Sequence, residues 1–211
     1  AIQWLAESTD MLCGTLGGEF TITGGTNDNI SPTNIKAVRQ AGFGSNKVAP
    51  LNVGNLLLFN QRAGRKVREL VFSFDVDGYL APDITLLAEH VSASGIVDMA
   101  YQQEEDTIIW ACTADGALIG CTYLRDQNVI AWHRHPIGGE LAVVESVAVI
   151  PSADSLRDEL WISLKKRVNG STVRTIEYLD PSVFSDSSLK LDSPLTISGA
   201  TAASPVVITA T

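Results

Sequence analysis

Residues 107–123 read Thr107-Ile108-Ile109-Trp110-Ala111-Cys112-Thr113, then Ala114-Asp115-Gly116, then Ala117-Leu118-Ile119-Gly120-Cys121-Thr122-Tyr123. Two runs rich in β-branched, aromatic and small apolar residues flank a polar turn. Asp-Gly is a hairpin signal, because glycine reaches positive φ without a Cβ clash. The stretch predicts two antiparallel strands. Ile96-Val97-Asp98-Met99-Ala100-Tyr101 precedes it and Val129-Ile130-Ala131-Trp132-His133-Arg134-His135 follows it. Four short strands with tight connections form a meander.

The pattern returns downstream. Glu145-Ser146-Val147-Ala148-Val149-Ile150, Glu159-Leu160-Trp161-Ile162-Ser163-Leu164, the turn Asn169-Gly170, and Thr172-Val173-Arg174-Thr175-Ile176-Glu177-Tyr178 repeat the order. Trp110 and Trp161 are about 51 positions apart. A period of that size marks propeller blades and related arrays. A similar step upstream reaches Leu56-Leu57-Leu58-Phe59-Asn60-Gln61 and Val67-Arg68-Glu69-Leu70-Val71-Phe72. One further step reaches Ile2-Gln3-Trp4-Leu5-Ala6, Met11-Leu12-Cys13-Gly14-Thr15 and Glu19-Phe20-Thr21-Ile22. Trp4, Phe59, Trp110 and Trp161 are therefore expected on the second strand of their units, as bulky filler between facing sheets. On this alignment the first unit lacks its opening strand. A β-sandwich with ordinary aromatic strands is the competing architecture.

The expected fold is all-β: a β-propeller or partial propeller built from four-stranded antiparallel repeats of about 51 residues. The units are placed at approximately 1–43, 44–93, 94–140 and 141–192. Ser182 to Lys190 is a weak continuation, and 193–211, without aromatics, is an extended tail or the start of a further β domain. No amphipathic helical run of three turns is present, and Ile84 to Val91 is the best, short, candidate.

The chain has 211 residues, 45% of them hydrophobic and 18% charged, and a net charge of −9. An acidic surface repels phosphate backbones and anionic lipid, so general nucleic-acid binding and membrane docking are not expected. The short basic stretches Arg62 to Arg68 and Lys165 to Arg167 read as strand ends and turns. No apolar run approaches the ~18 residues needed to cross a bilayer. No signal peptide is visible, and the start at Ala1 falls inside a strand-like pattern, as in a fragment of a longer chain. Cys13, Cys112 and Cys121 form no C-x-x-C pair and read as small buried hydrophobes of a protein assembled in a reducing compartment.

Candidate sites are few. His133 and His135 share one strand face and could begin a metal site, but zinc takes three or four ligands and His90 is distant in sequence. Asp75-Val76-Asp77-Gly78-Tyr79 resembles the opening of a calcium loop; the late glutamate and flanking helices are missing, and a turn explains it. Glu104-Glu105-Asp106 is an acidic loop run, whereas a glycosidase needs two carboxylates held across a bond. Neither a G-x-S-x-G elbow nor a phosphate-binding glycine loop occurs. The sequence therefore assigns no catalytic, cofactor-binding or metal-ligating residue.

The runs 95–101, 108–110, 115–120, 122–123 and 129–135, with Val147-Ala148-Val149-Ile150-Pro151, Asp158-Glu159-Leu160-Trp161, Arg167-Val168-Asn169-Gly170 and Ile176-Glu177-Tyr178-Leu179, resemble phage tail proteins of the nozzle or tubular type. Gly64 to Leu70 fits as well, and Leu191 to Gly199 resembles the start of the small β insertion such proteins carry next. The resemblance runs from about Ile30 to Gly199 in many small matches without one diagnostic motif. It implies a non-catalytic virion component at the distal tail of a short-tailed phage or prophage particle, assembled in the bacterial cytoplasm. The implied partners are other tail proteins and further copies in a homo-oligomeric ring, with a host-surface glycan or receptor as a contact. Acidic channel walls would suit DNA that must slide without being gripped. Two other readings stay open: a carbohydrate- or receptor-binding propeller using Trp132 or Tyr123 as a stacking platform, and a propeller-type hydrolase.

Overall fold

The computed structural model describes residues 1–8, 10–25 and 29–179. The expected tail over 193–211 and the weak run 182–190 lie outside them. Among the described residues the chain is all-β, with one 3-10 turn at Arg125–Gln127 and no α-helix. The segment 84–91, the short helical candidate, forms turns.

Fifteen strands make four antiparallel sheets, each from strands consecutive in sequence. Sheet I contains β1 (Ile2–Ala6), β2 (Met11–Thr15), β3 (Gly18–Thr23) and β4 (Lys36–Ala41). Sheet II contains β5 (Leu51–Val53), β6 (Leu56–Asn60), β7 (Val67–Ser73) and β8 (Gly78–Leu80). Sheet III contains β9 (Ile96–Gln102), β10 (Ile108–Thr113), β11 (Leu118–Leu124) and β12 (Val129–His135). Sheet IV contains β13 (Glu140–Pro151), β14 (Asp158–Val168) and β15 (Ser171–Tyr178).

The sheets pack face to face in sequence order, with an apolar core in each gap. Strand β6 shows why. All five of its residues are buried, and alternation sends Leu57 and Phe59 toward sheet I but Leu56 and Leu58 toward sheet III. Strand β10 repeats this: Ile109 and Ala111 join the core shared with sheet II, while Trp110 and Cys112 join the one shared with sheet IV. A strand with two apolar faces is stable only when both are covered.

Two details of the expected repeat are corrected. Trp4 lies on the first strand of its sheet, not the second, because β4 supplies a fourth strand and sheet I lacks nothing. Backbone bonds align β1 with β5 and β9. The turn amides of Leu16 and Ala114 donate to the carbonyls of Ala1 and Gly95, just before β1 and β9, and that of Arg62 to the carbonyl of Gly44, just before the Ser45–Gln61 bridge that precedes β5. Phe59, in turn, is not equivalent to Trp110. Phe59 faces the preceding sheet and meets Trp4 at a ring separation of 5.8 Å, whereas Trp110 faces the following one. A one-residue slip reverses the face of every side chain. The position that fills the following gap is Leu58, Trp110 and Trp161 in sheets II, III and IV.

Each gap is also bridged by main chain. The amides of Ser45, ahead of β5, and of Ile96 and Val144, within β9 and β13, donate to the carbonyls of Thr15, Gly64 and Gly116 in the unit before, at 2.7, 2.7 and 2.9 Å. Gly116 has φ 85°, and a Cβ there would lie 2.4 Å from Val143 Cγ1. In sheet I the Trp4 ring lies over Gly14, its register partner, where a Cβ would come within 2.1 Å of the indole.

Two stability measurements follow. Leu58→Ala should cost about 2–5 kcal/mol in chemical denaturation, because it leaves a cavity in the gap between sheets II and III. Gly14→Ala should cost about 1–3 kcal/mol by displacing Trp4, with a loss of near-ultraviolet tryptophan ellipticity.

Candidate functional site

The polar side chains concentrate in the gaps between sheets. Between I and II, the fully buried Glu19 accepts hydrogen bonds from Ser45 Oγ at 2.9 Å and the Phe43 amide at 3.3 Å. Between II and III, the buried Glu69 accepts from Tyr123 Oη at 2.8 Å and pairs with Arg125. Between III and IV, Asp98 accepts from Ser146 Oγ at 2.6 Å and the Val147 amide at 3.1 Å. Asp158 of sheet IV accepts from the Gln103 and Glu104 amides at 2.8 and 3.0 Å. Every gap thus carries a carboxylate that receives donors from the neighbouring element. Charge-assisted bonds of this kind are directional, so they fix how one sheet sits on the next.

Burial dominates the titration of Glu19. It pushes the Glu19 carboxyl up, against the Ser45 and Phe43 hydrogen bonds that pull it down. Burial also pushes the Tyr123 hydroxyl and the Cys112 and Cys121 thiols up to about 12. All three cysteines are buried free thiols. They are packing groups, because the thiolate is the reactive form.

A cavity of about 350 Å³ lies between sheets III and IV, and its lining includes His133, His135, Trp110, Arg157, Glu105 and Asp106. His133 and His135 sit two residues apart on β12, and His133 Nδ1 is 2.6 Å from His135 Nε2. One of these nitrogens carries the proton and the other presents its lone pair. Both rings meet the Trp110 edge, at 6.1 and 4.8 Å, and Trp110 Nε1 donates to Gln102 Oε1 at 2.7 Å. Gly120 makes room: a Cβ there would be 2.3 Å from His133 Cε1.

The sequence candidates are dispersed. His90 is outside this cavity; its carbonyl accepts from Arg134 Nη2 at 2.5 Å. Asp75 to Gly78 make the β7–β8 turn, with Asp77 at φ 47°. Glu105 and Asp106 are exposed and stand on the cavity wall. Among the described residues no group of three or more His, Cys, Asp or Glu is placed to hold a metal ion. Three side chains of the basic stretches are ion-paired: Lys66 with Asp83 and Glu89 at 3.0 and 2.8 Å, Lys166 with Glu177, and Arg167 with Glu140 at 3.3 Å. Trp132 is half-buried and donates its indole N–H to the Ile84 carbonyl at 2.9 Å; Tyr123 is buried. The association of the histidine pair with Arg157 and the acidic loop has no local sequence signal, since the packing of sheet IV on sheet III creates it.

No family model matches the sequence, and no curated protein matches it.

Two measurements probe these bridges. Tyr123→Phe removes a donor from the buried Glu69 carboxylate and should cost about 1–3 kcal/mol in denaturant titration. For Glu19, a raised folded-state value means that its favourable contribution is complete at low pH and is lost as pH rises through that value. Thermal melts from about pH 4 to about pH 7 should therefore show wild type losing stability relative to Glu19→Gln as pH rises.

Proposed function

We propose that the chain is a structural component of a phage tail, of the nozzle or hub kind, and that its four sheets are blades of a β-propeller. The observation that carries this reading is the order of packing. Sheets built from consecutive strands stack face to face in chain order, with a main-chain bond across the gap at each step. That is how propeller blades succeed one another. The many short matches to tail nozzle proteins supply the biological setting. Function then resides in shape and buried interfaces, in tail assembly, passage of DNA or contact with the host surface, and not in bond making.

Three features agree with this reading. The conspicuous polar groups are spent on joining sheets: Glu19, Glu69, Asp98 and Asp158 each satisfy donors across a gap. The net charge of −9 disfavours capture of duplex DNA. The stacking platforms expected for a sugar-binding propeller, Trp132 and Tyr123, are engaged inside the fold.

Mass spectrometry of particles purified from the strain that encodes the chain tests the proposal. The chain should be present in fixed stoichiometry with other tail proteins, and deletion of its gene should give particles that fail to infect. Absence from purified particles would overturn the reading. Duplex DNA mixed with the purified chain should show no salt-dependent mobility shift.

A further inference from the structure

The three gaps inside the chain follow one rule. Each sheet presents a face toward the following sheet, filled at one position of its second strand, and that following sheet covers it. The position is Leu58 in sheet II and Trp110 in sheet III, both buried by the neighbour. In sheet IV the same position is Trp161, and no described sheet follows. Trp161 is half-buried and stacks on Tyr178 with ring centroids 5.0 Å apart. Cross-strand register puts Ile176, through Ser163, on this face; it is 76% exposed. Ile150, 49% exposed, opposes Glu159 on the same side.

The opposite end of the stack has the converse feature. Trp4 and Leu12 of sheet I point into the gap with sheet II. The other side of the sheet carries Leu5, paired with Cys13, which pairs with Phe20. Leu5 is 55% exposed, and Met11, two residues from Cys13 on β2, is also exposed. This face corresponds to the one through which sheets II, III and IV each receive the sheet before. Among the described sheets the stack therefore ends in two faces of opposite type, each with an apolar cluster, one made to precede a sheet and one made to follow one. Exposed apolar patches of this kind mark association surfaces.

We propose that a second copy of this chain covers these faces head to tail, with sheet I of one copy packing on the Trp161–Tyr178–Ile176 face of the other. This rests on the propeller reading above and names the contact by which copies join. The argument is continuity: the proposed contact repeats, between chains, the gap formed three times within one. A heterologous contact closes a ring when its rotation allows. Two copies of the four described sheets bring eight, the upper end of the ~4–8 blades typical of propellers.

Sedimentation and light scattering of the purified chain test it. The expected species has twice the 22.6 kDa chain mass. Leu5→Asp and Ile176→Asp each place a charge in the new gap and should weaken association by about tenfold or more. Both side chains are exposed, so the far-ultraviolet circular dichroism of the variants should match wild type; Met11→Lys and Ile150→Lys are the alternates if one does not fold. Mixing the two Asp variants leaves one intact junction and should restore a dimer-sized species. A wild-type chain that stays monomeric at tens of micromolar overturns the proposal. So does a dimer that only Ile176→Asp disrupts, which would mean sheet IV meeting sheet IV, and so does failure of the mixture to reassociate. A ladder of larger species overturns closure by two copies. None of these outcomes bears on whether the chain is found in particles, which tests the tail reading separately.

Discussion

Burial of both faces of the central strands is the constraint on which the rest of the structure depends. In β6 every side chain is buried, and those of β10 are almost so. Alternation sends half of each strand's apolar surface to one neighbour and half to the other. A two-layer sandwich covers only one face of each sheet. Strands of this kind need a sheet on each side, and each sheet added passes the requirement to the next. The chain meets that demand with a serial stack in which gap follows gap: Phe59 against Trp4, Leu58 against the sheet III core, Trp110 against sheet IV.

Apolar contact is non-directional and would let the sheets slide. Directional bonds remove that freedom. The amides of Ser45, Ile96 and Val144 tie each sheet's approach to the one before it, and Glu19, Glu69, Asp98 and Asp158 add charge-assisted bonds across the same gaps. The burden on the sequence is mostly steric. Gly116 has no Cβ because Val143 passes against it, and Gly14 and Gly120 have none because Trp4 and His133 lie over them. Gly14 and Gly120 appear in the sequence only as interruptions of apolar runs and Gly116 as a turn residue, yet they let rings lie flat and main chains approach.

The candidate site is a product of the same packing. The imidazole pair on β12, Arg157 and the 104–106 loop share one cavity because sheet IV lies against sheet III, while Asp158 holds that loop through two amides. The histidines were visible in the sequence as a pair on one strand face, because strand periodicity is two. Their setting was not, since Glu105 and Arg157 are far apart along the chain and meet only across an inter-sheet gap. The acidic run looked like a plain solvent loop for the same reason.

Local chemistry was enough to determine the all-β class, the Asp115-Gly116 hairpin and the meander order of strands. β-branched and aromatic runs with glycine turns act over a few residues, and no distant partner is needed to read them. The face each side chain takes was decided only by the tertiary structure. Matching Phe59 to Trp110 by spacing chose a position one residue from its structural equivalent, Leu58, and so assigned the ring to the wrong gap. β1 was taken for the second strand of sheet I because the closing strand β4, Lys36–Ala41, is largely exposed and gives little apolar signal. Spacing along a chain fixes position only to within a residue or two. A β-strand reverses its sides at every residue, so packing alone determines which neighbour each side chain meets.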